Sequence, residues 1–154
     1  MLVTKQKIID IVRKGQAEGK SFVVTNGCFD ILHVGHVRYL KKTKEYADNL
    51  IVMLNSDKSV KAIKGDDRPI NCEEDRAEIL SSLSCVDYVV LFDENSPAKL
   101  LEDIKPDVYT KGADYTLETL PERDIVIKNN IRVEFIEFVD GKSTTNVIKK
   151  INAK

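Results

Sequence analysis

Both histidines of this chain lie three residues apart in Asn26-Gly27-Cys28-Phe29-Asp30-Ile31-Leu32-His33-Val34-Gly35-His36. The apolar run Phe22-Val23-Val24 leads into this stretch, and a helical pattern leaves it. A strand-to-helix turn of this composition aims two imidazoles and several backbone N–H groups at one anionic ligand, for which a phosphate is the natural guest. Gly27 lets a ligand approach the backbone closely, and Gly35 lets the helix start pack near it. Two other roles stay open on the residues alone. The imidazoles could ligate a metal with Asp30 or Cys28, or they could be ordinary structural histidines.

Near the other end, Ser143-Thr144-Thr145 opens a helical pattern. Hydroxyls and unpaired first-turn N–H groups make such a start both a helix cap and an anion site. Lys111-Gly112-Ala113-Asp114-Tyr115 follows a short apolar run, so it is either a simple turn or a contact to a nucleotide or sugar phosphate. Gly15-Gln16-Ala17-Glu18-Gly19-Lys20-Ser21 falls one residue short of a phosphate-binding P-loop and comes before a strand rather than after one. It reads as a helix end. Gly141-Lys142-Ser143-Thr144 is better placed but lacks the upstream glycine, and no dinucleotide GxGxxG motif is present.

The elements that must position these residues alternate regularly. Helical patterns cover residues 4–18, 34–46, 72–82, 97–104, 121–130 and 144–151, with Thr4, Asn71 and Ser96 as expected caps. Strand patterns cover 22–25, 50–55, 86–92, 108–110 and 131–138, and 56–70 reads as a polar, lysine-rich mobile loop with a little helix. Short apolar strands alternating with helices predict an α/β domain, a three-layer sandwich around a five-stranded, mainly parallel sheet. Ligands of such sheets bind beyond the carboxyl ends of the strands, where the strand order switches. The histidine motif begins at such an end.

The bulk composition agrees with one globular domain spanning residues 1–154: 42% hydrophobic and 32% charged residues. A formal net charge of -1 offers no footprint for general nucleic-acid binding. No apolar run approaches the roughly 20 residues of a membrane span, so no membrane association is expected. Cys28, Cys72 and Cys85 are odd in number and lack metal-site spacing, which fits reduced thiols in a cytoplasm.

The segment from Gly27 to His36 resembles the GxFDxLHxGH signature of the cytidylyltransferase-like nucleotidyltransferases. Further segments extend the likeness in order: Asn55-Ser56-Asp57, Lys64-Gly65, Arg68-Pro69, Glu74 with Arg76, Val86-Asp87, Lys111 to Tyr115, and Asp140-Gly141 with Ser143 to Asn146. Within the family the order is most similar to the adenylyltransferase branch acting on D-glycero-β-D-manno-heptose 1-phosphate. The resemblance implies a Rossmann-like fold and AMP transfer from ATP to a sugar 1-phosphate, with Mg²⁺ arriving on the ATP phosphates. It implies that His33, His36 and a lysine closing over the α-phosphate, Lys64 rather than Lys61, are catalytic. Gly27, Cys28, Phe29, Gly35, Lys111, Gly112, Ser143, Thr144 and Thr145 are expected to bind the nucleotide. Asp30, Arg68, Arg76 and Asp114 are expected to bind the sugar phosphate, although Asp30 could instead order the turn, Arg68 hold the loop and Arg76 pair with Glu73. A homodimer or larger assembly and a separate sugar kinase are also implied. The alternative is a CTP-dependent transferase acting on an alcohol phosphate such as glycerol 3-phosphate. That branch carries an arginine where this chain has Phe138, which argues against it.

Overall fold

A computed structural model describes residues 1–137 and 142–153. Six strands form one sheet: β1 (Leu2–Val3), β2 (Phe22–Gly27), β3 (Asn49–Asn55), β4 (Tyr88–Phe92), β5 (Val108–Gly112) and β6 (Arg132–Ile136). Among the described residues seven helices connect and cover it: α1 (Lys5–Ala17), α2 (Val34–Lys44), α3 (Asp57–Lys64), α4 (Glu73–Ser81), α5 (Ala98–Ile104), α6 (Arg123–Lys128) and α7 (Thr144–Asn152). The strand order is β1-β4-β3-β2-β5-β6, and every pairing is parallel.

One expectation about the sheet needs correction. Among the described residues it has six strands rather than five, all of them parallel. The additional strand, β1, is two residues long and pairs Leu2 with Val89 and Val3 with Val90. Two residues are too few to show a periodicity, so only the pairing with β4 reveals them.

Alternation along the strands divides the core between the two faces of the sheet. Phe22, Val24, Ile51, Met53, Val90 and Phe92 face one layer with Ile8 and Val12 of α1 and Leu101 of α5. Val23, Leu50, Val52, Leu54 and Val89 face the other with Leu40 of α2 and Ala77 and Leu80 of α4. Residues 50–55 of the central β3 are all buried, which is why that strand reads as an unbroken apolar run rather than an alternating one.

The chain steps outward from β2 through β3 to β4, then returns to place β5 on the free side of β2. The order therefore reverses between β2 and β5, and the turns that leave these two strands flank the switch point. The P-loop-like segment Gly15–Ser21 precedes β2 and so lies at the amino end of that strand, away from the switch point.

Two local expectations also change. The little helix expected within 56–70 is α3, and it is anchored rather than part of a mobile loop: its Ser56 cap accepts from the Ser59 N–H at 3.2 Å, and Val60 is fully buried. Cys72, not Asn71, is the N-cap of α4, because the Asn71 side chain donates to the Asp30 carbonyl at 2.7 Å. Phe138 and Asp140-Gly141 lie outside the described residues.

Candidate active site

The turn after β2 is held in a form its sequence alone would resist. Phe29 has φ +44°, a left-handed conformation uncommon for a bulky residue, yet its side chain is 8% exposed. Burial holds it there. A Cβ on Gly27 would meet the Phe29 ring at 2.8 Å, so only glycine lets the ring fold back over the strand end. The edge of that ring meets His36 with centroids 5.1 Å apart.

Asp30 and Arg76 brace this turn from behind. The Asp30 carboxylate accepts from the backbone N–H groups of Ile70 and Asn71, each at 2.9 Å, and from Arg68 Nε at 2.8 Å. Burial alone would raise its pKa; the donors from Asn71, Ile70 and Arg68 outweigh it and hold the carboxyl below the usual carboxylate range. Arg76 is 1% exposed. It donates to the carbonyls of Asn71 at 3.0 Å, Cys28 at 2.7 Å and Asn55 at 2.8 Å, and to Asp57 at 2.8 Å.

The two imidazoles form a reciprocal cap on α2. His33 is the N-cap, its Nδ1 accepting from the Gly35 N–H at 3.1 Å, while His36 Nδ1 accepts from the His33 N–H at 3.4 Å. The rings stack with centroids 3.8 Å apart and planes 25° apart. An Nδ1 that accepts carries no proton, so in each neutral ring the proton sits on Nε2. Burial, and then the charge of Lys142, lower the His33 pKa. Burial, and then His33 and Lys64, lower that of His36 to about 4. Both rings are therefore neutral Nε2–H donors at pH 7. A Cβ on Gly35 would lie 2.8 Å from His33 Cε1 and 3.2 Å from Lys142 Cβ, so the glycine admits both the ring and the incoming chain.

The start of α7 reaches this turn directly. Ser143 caps the helix by accepting from the Asn146 N–H at 3.0 Å, and Thr144 Oγ1 donates to the Ile31 carbonyl at 3.1 Å. Between them, these segments and the ends of α3 and β5 enclose a cavity of about 460 Å³. One wall is the turn with its histidines, another is Lys142 to Thr145, and Lys64 and the Lys111 to Tyr115 region complete it. Backbone N–H groups, two imidazole donors and three lysines converge there, an arrangement suited to a polyanion. Burial pushes the Cys28 thiol up, leaving it a neutral wall group rather than a nucleophile. Among the described residues no group of three or more His, Cys, Asp or Glu side chains is placed to hold a metal ion.

Comparison with known proteins points to the same chemistry. Residues 24–150 match the model of the cytidylyltransferase-like family. The chain belongs to that family. It is 54% identical over 141 residues to the bifunctional protein HldE of Geobacter metallireducens, covering 92% of this chain and 29% of that protein. It is 48% identical to the bifunctional protein HldE of Syntrophotalea carbinolica, covering 96% of this chain and 30% of that protein. The chain thus spans a little under a third of these relatives. The crystal structure of a lipopolysaccharide core biosynthesis protein from Thermoplasma volcanium superposes with a TM-score of 0.63 at 33% identity, covering 80% of this chain and 100% of that one.

This cytidylyltransferase-like domain brings together most of the residues singled out in the sequence. His33, His36, Lys64, Gly27, Cys28, Phe29, Gly35, Lys111, Gly112, Asp114 and Ser143 to Thr145 all line the cavity. Asp30 and the two arginines take the structural alternatives that the sequence left open. Asp30 borders the cavity, but its oxygens are engaged by the 68–71 segment. Arg68 pairs with Asp30, and neither Arg68 nor Arg76 lines the cavity. Arg76 sits behind the turn, where it joins the ends of β2 and β3. Four lining residues were not singled out: Asn26, Tyr39, Tyr115 and Lys142. Asn26 and Lys142 lie inside the motifs, beside the glycine and hydroxyl residues that carry the stronger signal. Tyr39 lies one helical turn beyond His36, a spacing that was available as a signal.

Proposed function

We propose that this domain transfers AMP from ATP to heptose 1-phosphate, forming ADP-heptose and releasing pyrophosphate. The observation that carries the reading is the seating of the α7 start against the histidine turn, tied by the Thr144–Ile31 hydrogen bond at 3.1 Å. The family, the motif order and the HldE relatives support it.

The chemistry asks for little beyond placement and charge. An oxygen of the acceptor phosphate attacks the α-phosphorus in line, and the bond from that phosphorus to the bridging β-oxygen breaks. The nucleophile is already an anion, so no general base is needed. His33 and His36 donate their Nε2–H groups to phosphoryl oxygens, and Lys64 offsets charge that builds at the α-phosphate. The first-turn N–H groups of α7 and the hydroxyls of Ser143 and Thr145 receive the β- and γ-phosphates, while the Thr144 hydroxyl, whose proton goes to the Ile31 carbonyl, holds the helix start in place. Gly27, Cys28 and Phe29 form the surface over which the nucleotide lies, and Lys111 and Gly112 contact the nucleotide or the sugar phosphate. Asp114 is exposed at the rim and free to meet sugar hydroxyls.

Mg²⁺ fits this site as a companion of ATP. With Asp30 saturated, Asp114 is the one lining carboxylate among the described residues left to approach the ion, which phosphate oxygens and water would otherwise hold. When bound, it neutralises phosphate charge and favours departure of pyrophosphate. A sugar kinase is proposed to supply the acceptor.

Pyrophosphate release from ATP, Mg²⁺ and heptose 1-phosphate tests the reading. Turnover is expected in the native protein and lost in His33→Ala and His36→Ala. A parallel assay uses CTP and glycerol 3-phosphate. Turnover there and none with ATP, or nucleotide binding with no product from any acceptor, would overturn the reading.

A further inference from the structure

Asn26, the penultimate residue of β2, has a fixed orientation that the mechanism above leaves unused. Its Oδ1 accepts from the Tyr109 hydroxyl at 2.6 Å and faces Lys111 Nζ at 3.4 Å. An ammonium can only donate, so the amide atom facing it must be the oxygen. The hydroxyl sharing that oxygen must then donate as well. Tyr109 is fully buried, and burial keeps its hydroxyl protonated. The amide is thus locked with its oxygen toward Tyr109 and Lys111. Its Nδ2 has no partner among the described residues and is not sealed off, and Asn26 lines the cavity. Two N–H donors are therefore held open to the cavity by a hydrogen bond made beneath it. Lys111 is steadied by the same oxygen and by the Tyr115 ring, 5.0 Å from its Nζ.

Transfer between two phosphates requires two anions side by side, hence two clusters of donors. The histidines, Lys142 and the α7 start make one, suited to the departing polyphosphate. Asn26 and Lys111 make the second, on the ends of the adjacent strands β2 and β5. We infer that Asn26 and Lys111 bind the acceptor's phosphomonoester group, with Tyr109 as the positioning residue that sets the amide. This rests on the transferase reading above and replaces the nucleotide role expected for Lys111.

The test separates the two clusters. Heptose 1-phosphate and, separately, inorganic phosphate are titrated by calorimetry into protein saturated with a non-hydrolysable ATP analogue. Asn26→Ala and Tyr109→Phe are compared with the native protein; the double variant removes any buried hydroxyl left without a partner. Each variant is expected to weaken both anions about tenfold or more, the size of a lost hydrogen bond to a charged group. The analogue's own Kd should stay within about twofold, and the acceptor KM should rise more than kcat falls. Unchanged anion affinity, an equal loss of analogue affinity, or a native protein that takes up neither anion would overturn the inference. A native protein that binds phosphate but not heptose 1-phosphate would remove the heptose reading, and the phosphate titrations would still decide the role of Asn26.

Discussion

Single residues here do unlike work under similar appearances. Arg76 and Lys64 are both cations near the turn, but one is sealed beneath it and the other opens to the cavity. Removing a buried arginine that satisfies three carbonyls and a carboxylate damages the support of the site rather than its contacts. The histidines show a related point: their capping bonds decide which nitrogen carries the proton. The low His36 pKa has a stability consequence with a definite sign. Unfolded histidine titrates near 6.5 and folded His36 near 4. Above pH 6.5 the contribution is fully present. As pH falls through the window from 6.5 to 4, the unfolded chain takes up a proton that the folded one refuses, and stability drops. Between pH 7 and pH 5 the native protein should lose on the order of 1–2 kcal/mol more than His36→Asn. Urea unfolding midpoints at the two pH values check this, and equal losses would contradict the assignment.

At the scale of elements, α7 matters through its first turn more than its length. None of its residues is buried, so packing alone anchors it weakly. The Thr144 hydroxyl on the Ile31 carbonyl therefore does much of the seating. Thr144→Val keeps the shape and removes that bond. Far-ultraviolet circular dichroism should be unchanged, while ATP affinity falls about fivefold, corresponding to roughly 1 kcal/mol for one hydrogen bond. Native ATP affinity in this variant would show that α7 is held by other contacts. The expected mobile loop after β3 illustrates the opposite case. Ser59 is fully buried, its hydroxyl donating to the Glu94 carbonyl at 2.8 Å, and this anchors α3 so that Lys64 ends at the cavity wall.

Across the whole molecule, the cavity joins segments far apart in sequence, from Asn26 to Thr145. A ligand that bridges them binds the folded chain and not the unfolded one, so it stabilises the entire domain. At an ATP concentration one hundred times its Kd, linkage adds about 2.7 kcal/mol. For a domain of this size that raises the thermal midpoint by several degrees, about 2–4 °C per kcal/mol. Scanning calorimetry with and without ATP and Mg²⁺ should show the rise, and the His33→Ala/His36→Ala double variant should show little of it. No rise in the native protein would mean that nucleotide does not bind across these segments.

The sequence by itself determined the parallel α/β plan, most helix and strand positions, and the two segments that meet at the cavity. These are local properties: apolar runs, capping residues, and a glycine-histidine spacing that means something only at a strand end. It did not determine β1, because two residues carry no period, nor the ordered α3, whose anchors come from β4 and the loop after it. It also could not separate Arg76 from Lys64, or fix the orientation of the Asn26 amide. Burial and hydrogen-bond partners across distant positions settle those questions. Arg76 acquires its partners from the ends of β2 and β3, and Asn26 acquires its orientation from Tyr109 on β5. Such partners exist only once the sheet has assembled.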